Sequence, residues 1–372
     1  MSGNEGVAGK RQDWARWAIK VMEADARRSA DSHLVPLALK SFPDIDFYLK
    51  DESSHPTGSL KHRLARSLIL YGICNGWIGS TTALVEASSG STAVSEAYFA
   101  KLLGLRFFAV LPRTTSRSKV EAIEQQGGFC HFVDDPSAIY EEARSLAARE
   151  GGHYLDQFTF AERATDWRGN NNISESIFQQ MSMERHPVPH WVVMSPGTGG
   201  TSATIGRYIL YKGVTTELCV PDPEFSVFYD GWCRKDAAVT CERGSRIEGI
   251  GRPRMEASFV PSVVDAMLKV PDAVSIAAAR VLSQLLGRRV GGSTGTNFVG
   301  VLWAASEMHR DGVAGSIVSM ICDSGERYAQ TYFDDAWLTQ NKLDVAPHEA
   351  RIRAVLASGV FPPDLVLGIR QG

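Results

Sequence analysis

Lys61 opens a helix at the end of Lys50 to Arg63, KDESSHPTGSLKHR. A strand-like run, Phe47-Tyr48-Leu49, leads into turn residues, and from Leu60 the apolar positions Leu64, Ala65 and Leu68 fall on one helical face. The bare N–H groups at a helix start carry partial positive charge, which disfavours a protonated amine there. Such a lysine suits nucleophilic chemistry; a surface helix start with a basic cluster, Lys61, His62 and Arg63, is the alternative reading. A second stretch, Val85 to Val94 (VEASSGSTAV), runs from an apolar strand through small hydroxyl residues to a helix. Its serines are anion ligands or helix caps, and can be both. In Trp191 to Thr204, WVVMSPGTGGTSAT, a strand runs into Gly197, Thr198, Gly199, Gly200 and Thr201 ahead of a helix. Bare N–H groups and threonine hydroxyls converging there suit a phosphate, although a lone glycine loop also serves as a tight turn. Finally, Ile317 to Tyr328, IVSMICDSGERY, presents Asp323 and Ser324 at the carboxyl end of a buried-looking strand, where open α/β sheets bind ligands.

These residues need a frame that repeats strand and helix. The pattern supplies strands at Thr82 to Ala87, Leu105 to Leu111, Phe129 to Val133, Tyr154 to Phe158, Trp191 to Met194, Glu217 to Val220 and Ile317 to Cys322, with helices among them at Lys119 to Gln126 and Ala138 to Arg149. Short apolar strands alternating with helices predict parallel, doubly wound α/β sheets. At 372 residues the chain has room for two domains. The polar stretch Glu162 to Asn172 breaks the periodicity, and we expect a smaller domain over 51–165 and a larger one from 1–50 plus 166–372. Gln12 to Arg27 reads as an amphipathic helix, packed on its own domain or used as a dimer contact, and a homodimer is expected. With 44% hydrophobic and 22% charged residues and a net charge of −3, the chain has an ordinary globular composition and no polyanion-binding character, so no nucleic-acid partner is expected. No apolar run reaches the roughly 20 residues of a membrane span, and a cytoplasmic location is expected. The six cysteines form no CxxC pair, so neither a disulfide framework nor a metal site is anticipated.

Taken together the four segments resemble the cysteine synthase and cystathionine β-synthase family of pyridoxal-phosphate (PLP) enzymes. PTGSLK matches that family's Asn-any-Thr-Gly-Ser-any-Lys motif from Thr57 to Lys61, with His55 where the Asn would stand. Within the family, EASSGSTAVSEAYFAKLLGL and ERATDWRGNNN are most similar to the bacterial L-cysteine desulfhydrase branch. The resemblance implies PLP fold type II (tryptophan synthase β-like), two doubly wound domains with parallel-rich sheets and the cofactor in the cleft between them. It makes Lys61 the Schiff-base lysine and base, Gly197, Thr198, Gly199, Gly200 and Thr201 the phosphate ligands, and Ser324 the partner of the pyridine nitrogen. A neutral hydroxyl there favours loss of a β-substituent over racemisation or transamination. The resemblance assigns Ser88, Ser89, Thr92 and Gln157 to the substrate carboxylate, and Gly249 of IEGIG to a loop on the substrate side. Where the family has SGNTG this chain has Ser89 to Ala93, so Ser91 replaces the Asn that contacts the cofactor's ring hydroxyl.

The implied reaction is β-elimination on L-cysteine to sulfide, pyruvate and ammonia. Its alternative is β-replacement, making cysteine from O-acetylserine and sulfide with the same residues. Three other classes compete. Gly291-Gly292-Ser293-Thr294-Gly295 satisfies the GxSxG pattern of a serine hydrolase, but that elbow requires a preceding strand and only Arg288-Arg289-Val290 intervenes after the helical run Ile276 to Leu286. GTGGTS has Ser202 where a dinucleotide fingerprint requires glycine. A non-catalytic binding protein on the same fold is opposed by the presence of Lys61 and Ser324.

Overall fold

The structure, a computed structural model, describes residues 2–28, 30–169 and 172–370. Asn170 and Asn171 of the ERATDWRGNNN motif therefore lie outside the described residues. The chain forms two compact units, one of residues up to Asp31 with Leu60–Thr165, the other of Ser32–Ser59 with Asp166 onward.

Along the chain, α1 (Ser2–Ala26) precedes β1 (Leu34–Leu37) and β2 (Ile45–Asp51). The smaller unit continues with α2 (Lys61–Cys74), β3 (Leu84–Glu86), α3 (Ser91–Leu102), β4 (Phe107–Pro112), α4 (Arg117–Gln125), β5 (Phe129–Val133), α5 (Ile139–Arg149), β6 (His153–Tyr154) and α6 (Gln157–Ala164). Its four strands are all parallel, in the order β5-β4-β3-β6. Helix α1 packs on α2 and α3, burying Ala18 and Met22 among Ala65, Leu68, Ile69 and Phe99. This differs from the expected boundary, which placed the N-terminal helix with the larger domain and Asp51 to Ser59 with the smaller. Hydrophobic burial draws α1 to the smaller unit. Backbone pairing keeps the other segment in the larger one, since Ser59 bridges Asp323 and Arg327 donates to the Thr57 carbonyl at 2.7 Å.

The larger unit adds α7 (Ile173–Met181), β7 (Trp191–Val193), α8 (Gly200–Lys212), β8 (Glu217–Pro223), α9 (Phe228–Arg234), β9 (Ala266–Val270), α10 (Asp272–Leu286), α11 (Gly292–Arg310), β10 (Gly315–Ile321), α12 (Asp335–Gln340), α13 (Ala346–Ser358) and β11 (Leu367–Arg370). Its seven strands run β1-β2-β10-β7-β8-β9-β11, parallel throughout except for the two outer strands. All seven residues of β10 are buried, as both faces of a covered parallel sheet require.

One expected strand is corrected. Tyr154 to Phe158 reads as extended, yet β6 stops at Tyr154 and α6 begins at Gln157. Asp156 causes the switch: it adopts left-handed φ 48° and its carboxylate accepts the Thr159 N–H, capping the helix. The GxSxG pattern is likewise not an elbow. Ser293 lies inside α11, 4% exposed, and just ahead of that helix Val290 makes a single bridge to Ser324 in place of a strand.

Candidate functional site

In the larger unit, parallel pairing lines up the carboxyl ends of β2, β10 and β7. Asp51 pairs with Ile321, and β10 pairs with β7 up to Val318 opposite Val192, three positions earlier. The segments that follow these strands therefore emerge at one edge of the sheet: His55 to Ser59, Asp323 to Ser324, and Ser195 to Gly200. After β7, Ser195 is fixed by Asn297 of α11, whose Oδ1 accepts both the Ser195 N–H at 2.7 Å and its hydroxyl at 2.5 Å. The chain then passes Gly197 and the buried Thr198, and α8 opens at Gly200. Gly199 holds φ 90°, and a Cβ there would lie 2.4 Å from the Phe259 Cα, so the turn admits no side chain. Gly200 donates its N–H to the Thr198 hydroxyl at 3.2 Å. The first-turn N–H groups of α8 are those a helix leaves without internal partners, and they stand at the positive end of its dipole.

Ser324 follows β10 at the start of a short turn and is half-buried. Its oxygen accepts the Glu326 N–H at 3.4 Å, which leaves the hydroxyl proton able to donate elsewhere. Beside it, Asp323 accepts a 2.6 Å bond from the Tyr328 hydroxyl, and burial together with that carboxylate pushes the Tyr328 phenol far up. Gly249 lies exposed at φ 86° in a loop tied to the turn after β7, because Gly251 donates its N–H to the Pro196 carbonyl at 2.9 Å. Arg252, which follows that loop, pairs with the buried Glu256 at 2.9 Å. His55, at the position of the family's Asn, is held by the fully buried Glu52 at 2.8 Å.

In the smaller unit, Lys61 is the first residue of α2, half-buried, and no side chain caps that helix start. Helices α2 and α3 pack together, with the His62 ring against Tyr98 and Phe99. Ser91 begins α3 after an extended Gly90, and the Ser88 hydroxyl accepts the Gly90 N–H at 3.3 Å. Ser88, Ser89 and Ser91 are half-buried, whereas Thr92 is 3% exposed and donates to the Gln157 Oε1 at 2.8 Å. Thus the structure brings Ser88, Ser89, Ser91, Thr92 and Gln157 together. It also reveals two residues that sequence reasoning passed over. Glu86, inside the quoted VEASSG motif, accepts the Ala87 and Gln157 N–H groups at 2.8 and 3.1 Å, and Glu96 sits fully buried one helical turn after Thr92. An acidic residue in the apolar run Leu84-Val85 and another among Val94, Ala97 and Phe99 were the available signals.

Residues 31–323 match the family profile of pyridoxal-phosphate dependent enzymes. The chain belongs to the pyridoxal-phosphate dependent enzymes. Its similarity to other PLP-dependent enzymes is graded. It is 58% identical over 352 residues to L-cysteine desulfhydrase Cds1 of Mycobacterium tuberculosis (strain ATCC 25177 / H37Ra), spanning 93% of this chain and 96% of that protein. A cysteine synthase of Dictyostelium discoideum is 25% identical over 83% of each chain. Among solved structures, O-ureido-L-serine synthase superposes with a TM-score of 0.70 at 24% identity, covering 83% of this chain and 96% of that one, and this likeness carries the fold. Among the described residues no cluster of His, Cys, Asp or Glu is arranged to hold a metal, and no helix is long and apolar enough to cross a membrane.

Proposed function

We propose that this PLP-dependent enzyme cleaves L-cysteine and water to hydrogen sulfide, pyruvate and ammonia. The 58% identity to an L-cysteine desulfhydrase across nearly the whole of both chains carries the reading. The residues of the larger unit suit the cofactor. A turn closed to any side chain at Gly199, followed by the bare amides of a 13-residue helix, is an anion cradle that a phosphate ester fills. Gly197, Thr198, Gly199, Gly200 and Thr201 would hold that phosphate, and Ser324 would donate to the ring nitrogen. When bound, the cofactor supplies a carbonyl carbon for amines and a conjugated ring that accepts electron density from the substrate α-carbon.

The chain's own residues do the rest. Lys61 would hold the cofactor through its Nζ, and the same amine, when free, would serve as the base for the proton on the substrate α-carbon. Ser324, a neutral hydroxyl, would not keep a proton on the ring nitrogen, which suits loss of a β-substituent such as sulfide. Ser88, Ser89, Thr92 and Gln157 orient the substrate carboxylate, with hydroxyl and amide donors at the start of α3. Ser91, shorter than the family's Asn, leaves more room beside the ring hydroxyl. Gly249, with nothing within 4 Å of an added Cβ, would leave the substrate side open.

The test is turnover of purified protein. L-Cysteine should yield sulfide and pyruvate in equal amounts, well above the rate of free cofactor, while O-acetylserine plus sulfide is converted to cysteine more slowly. The reverse ranking would replace the desulfhydrase with a synthase. Lys61→Ala should lose the bound cofactor's visible absorption band and at least about a thousandfold in turnover.

A further inference from the structure

Beneath the carboxylate-binding residues lies a dry acidic pair for which the reaction above has no use. Glu86 ends β3, and its two oxygens are divided between two segments: one takes the Ala87 N–H that starts the Ser88 to Thr92 loop, the other takes the Gln157 N–H that starts α6. Thr92 closes the circuit from above through its bond to the Gln157 side chain. A single carboxyl group thus fixes the spacing of the residues proposed to meet the substrate carboxylate. Glu96 projects from the same face of α3 as Thr92, four residues on, is 0% exposed like Glu86, and its carboxyl group meets that of Glu86.

We propose that Glu86 and Glu96 are positioning residues that share one proton, and that this proton keeps the Ser88–Thr92 loop and Gln157 in the spacing that binds a substrate carboxylate. The inference rests on the assignment of those residues to the carboxylate. Two adjacent carboxylates in a dry interior cannot both be ionised at neutral pH. Glu86 accepts two backbone donors, which favours its charged form, so the proton resides on Glu96, with its O–H turned toward Glu86. Burial raises Glu86 even against the lowering effect of those donors, and burial together with the Glu86 carboxylate raises Glu96 well above the ordinary carboxylate range. The other groups facing the pair are acidic or neutral: Asp156 raises Glu86, and the buried Tyr154 hydroxyl adjoins it, itself influenced by Tyr140 and Arg144 of α5. No lysine or arginine ion pair neutralises either carboxyl among the described residues. Loss of the shared proton leaves two charges whose repulsion is relieved by separation. Separation draws Glu86 off the Ala87 and Gln157 amides.

The carboxylate site should therefore loosen with rising pH while the cofactor stays bound. Because L-cysteine titrates in the same range, the readout is a ratio measured on the holoenzyme, KM of the wild type over KM of Glu96→Gln, whose amide cannot lose the proton. That ratio should climb by about tenfold from pH 7 to pH 9, with the cofactor's visible band constant, as release of one proton demands. A ratio flat within about twofold overturns the proposal. Glu86→Gln, which exchanges one acceptor for a donor, should raise KM by about tenfold at pH 7 with a smaller change in kcat; should that variant fail to fold, the Glu96→Gln ratio decides alone. Gln157→Ala and Thr92→Val separate the two levels. If they raise KM while the ratio stays flat, the pair has no positioning role. If they leave KM unchanged, the assignment of the loop fails and the proposal falls with it.

Discussion

At Gly199 the backbone lies at φ 90° and an added Cβ would stand 2.4 Å from the Phe259 Cα, a backbone atom that cannot swing aside. Both effects oppose any side chain, by about 1–3 kcal/mol for the left-handed backbone alone. Gly199→Ala should therefore retain at least tenfold less cofactor after dialysis, read as visible absorbance per protein, and melt at a lower temperature. The position of this turn was legible in the sequence, and so were the helix start at Lys61 and the strand end before Ser324, because each is set by its immediate neighbours. Glu86 was in plain view within VEASSG, but its partner Glu96 lies ten residues on and Gln157 seventy-one, and only folding brings them together. Charge in an apolar run announces a burial problem without naming the group that answers it.

At the scale of elements, α10 and α11 approach at Gly295, where a Cβ would fall 2.1 Å from the Ser275 carbonyl oxygen and 2.6 Å from the Ala279 nitrogen. Two effects of opposite sign meet in Gly295→Ala. Alanine gains about 1 kcal/mol in helix propensity, whereas overpacking of a tight contact costs about 1–3 kcal/mol and here would press on backbone. The clash wins, and the variant should unfold at lower urea concentration than the wild type. The same crowding explains why α11 was not read from sequence. Its first turns, Gly292 to Thr296, are poor helix formers, and they are helical because the tertiary contact rewards small residues there. Strands fared better, since runs such as Ile317 to Cys322 announce themselves by apolar side chains alone. Tyr154 to Phe158 did not, because one left-handed aspartate redirects the chain.

Across the whole molecule, the buried acids set how stability responds to pH. Glu86 and Glu96 have folded-state pKa values above their unfolded ones, so the folded state holds protons that the unfolded state releases. Their contribution is complete below the ordinary carboxylate range and is lost as pH rises from there through the raised values. His153 and His348 act in the opposite sense, being lowered by burial, but that effect is spent once pH exceeds the ordinary histidine range. Between pH 7 and 8.5 the carboxyl effect is left to act. The thermal midpoint should drop by roughly 3 °C or more over that interval, and Glu96→Gln should abolish most of the drop. The doubly wound α/β class was readable from alternating strands and helices, but the boundary at the N-terminal end was not. Amphipathic spacing in Gln12 to Arg27 shows that a helix buries one face without saying against which core. One of the two outer strands of the seven-stranded sheet, β1, carries a further consequence. Along β1 the bond from the Asp51 N–H to the His33 carbonyl sets the alternation, so position 36 turns its nitrogen away from β2. That position is an exposed proline, which has no N–H to offer. The open rim of the sheet thus lacks a donor at its middle, and a passing strand from another molecule finds no continuous ladder to extend, so the fold resists edge-to-edge aggregation at its own margin.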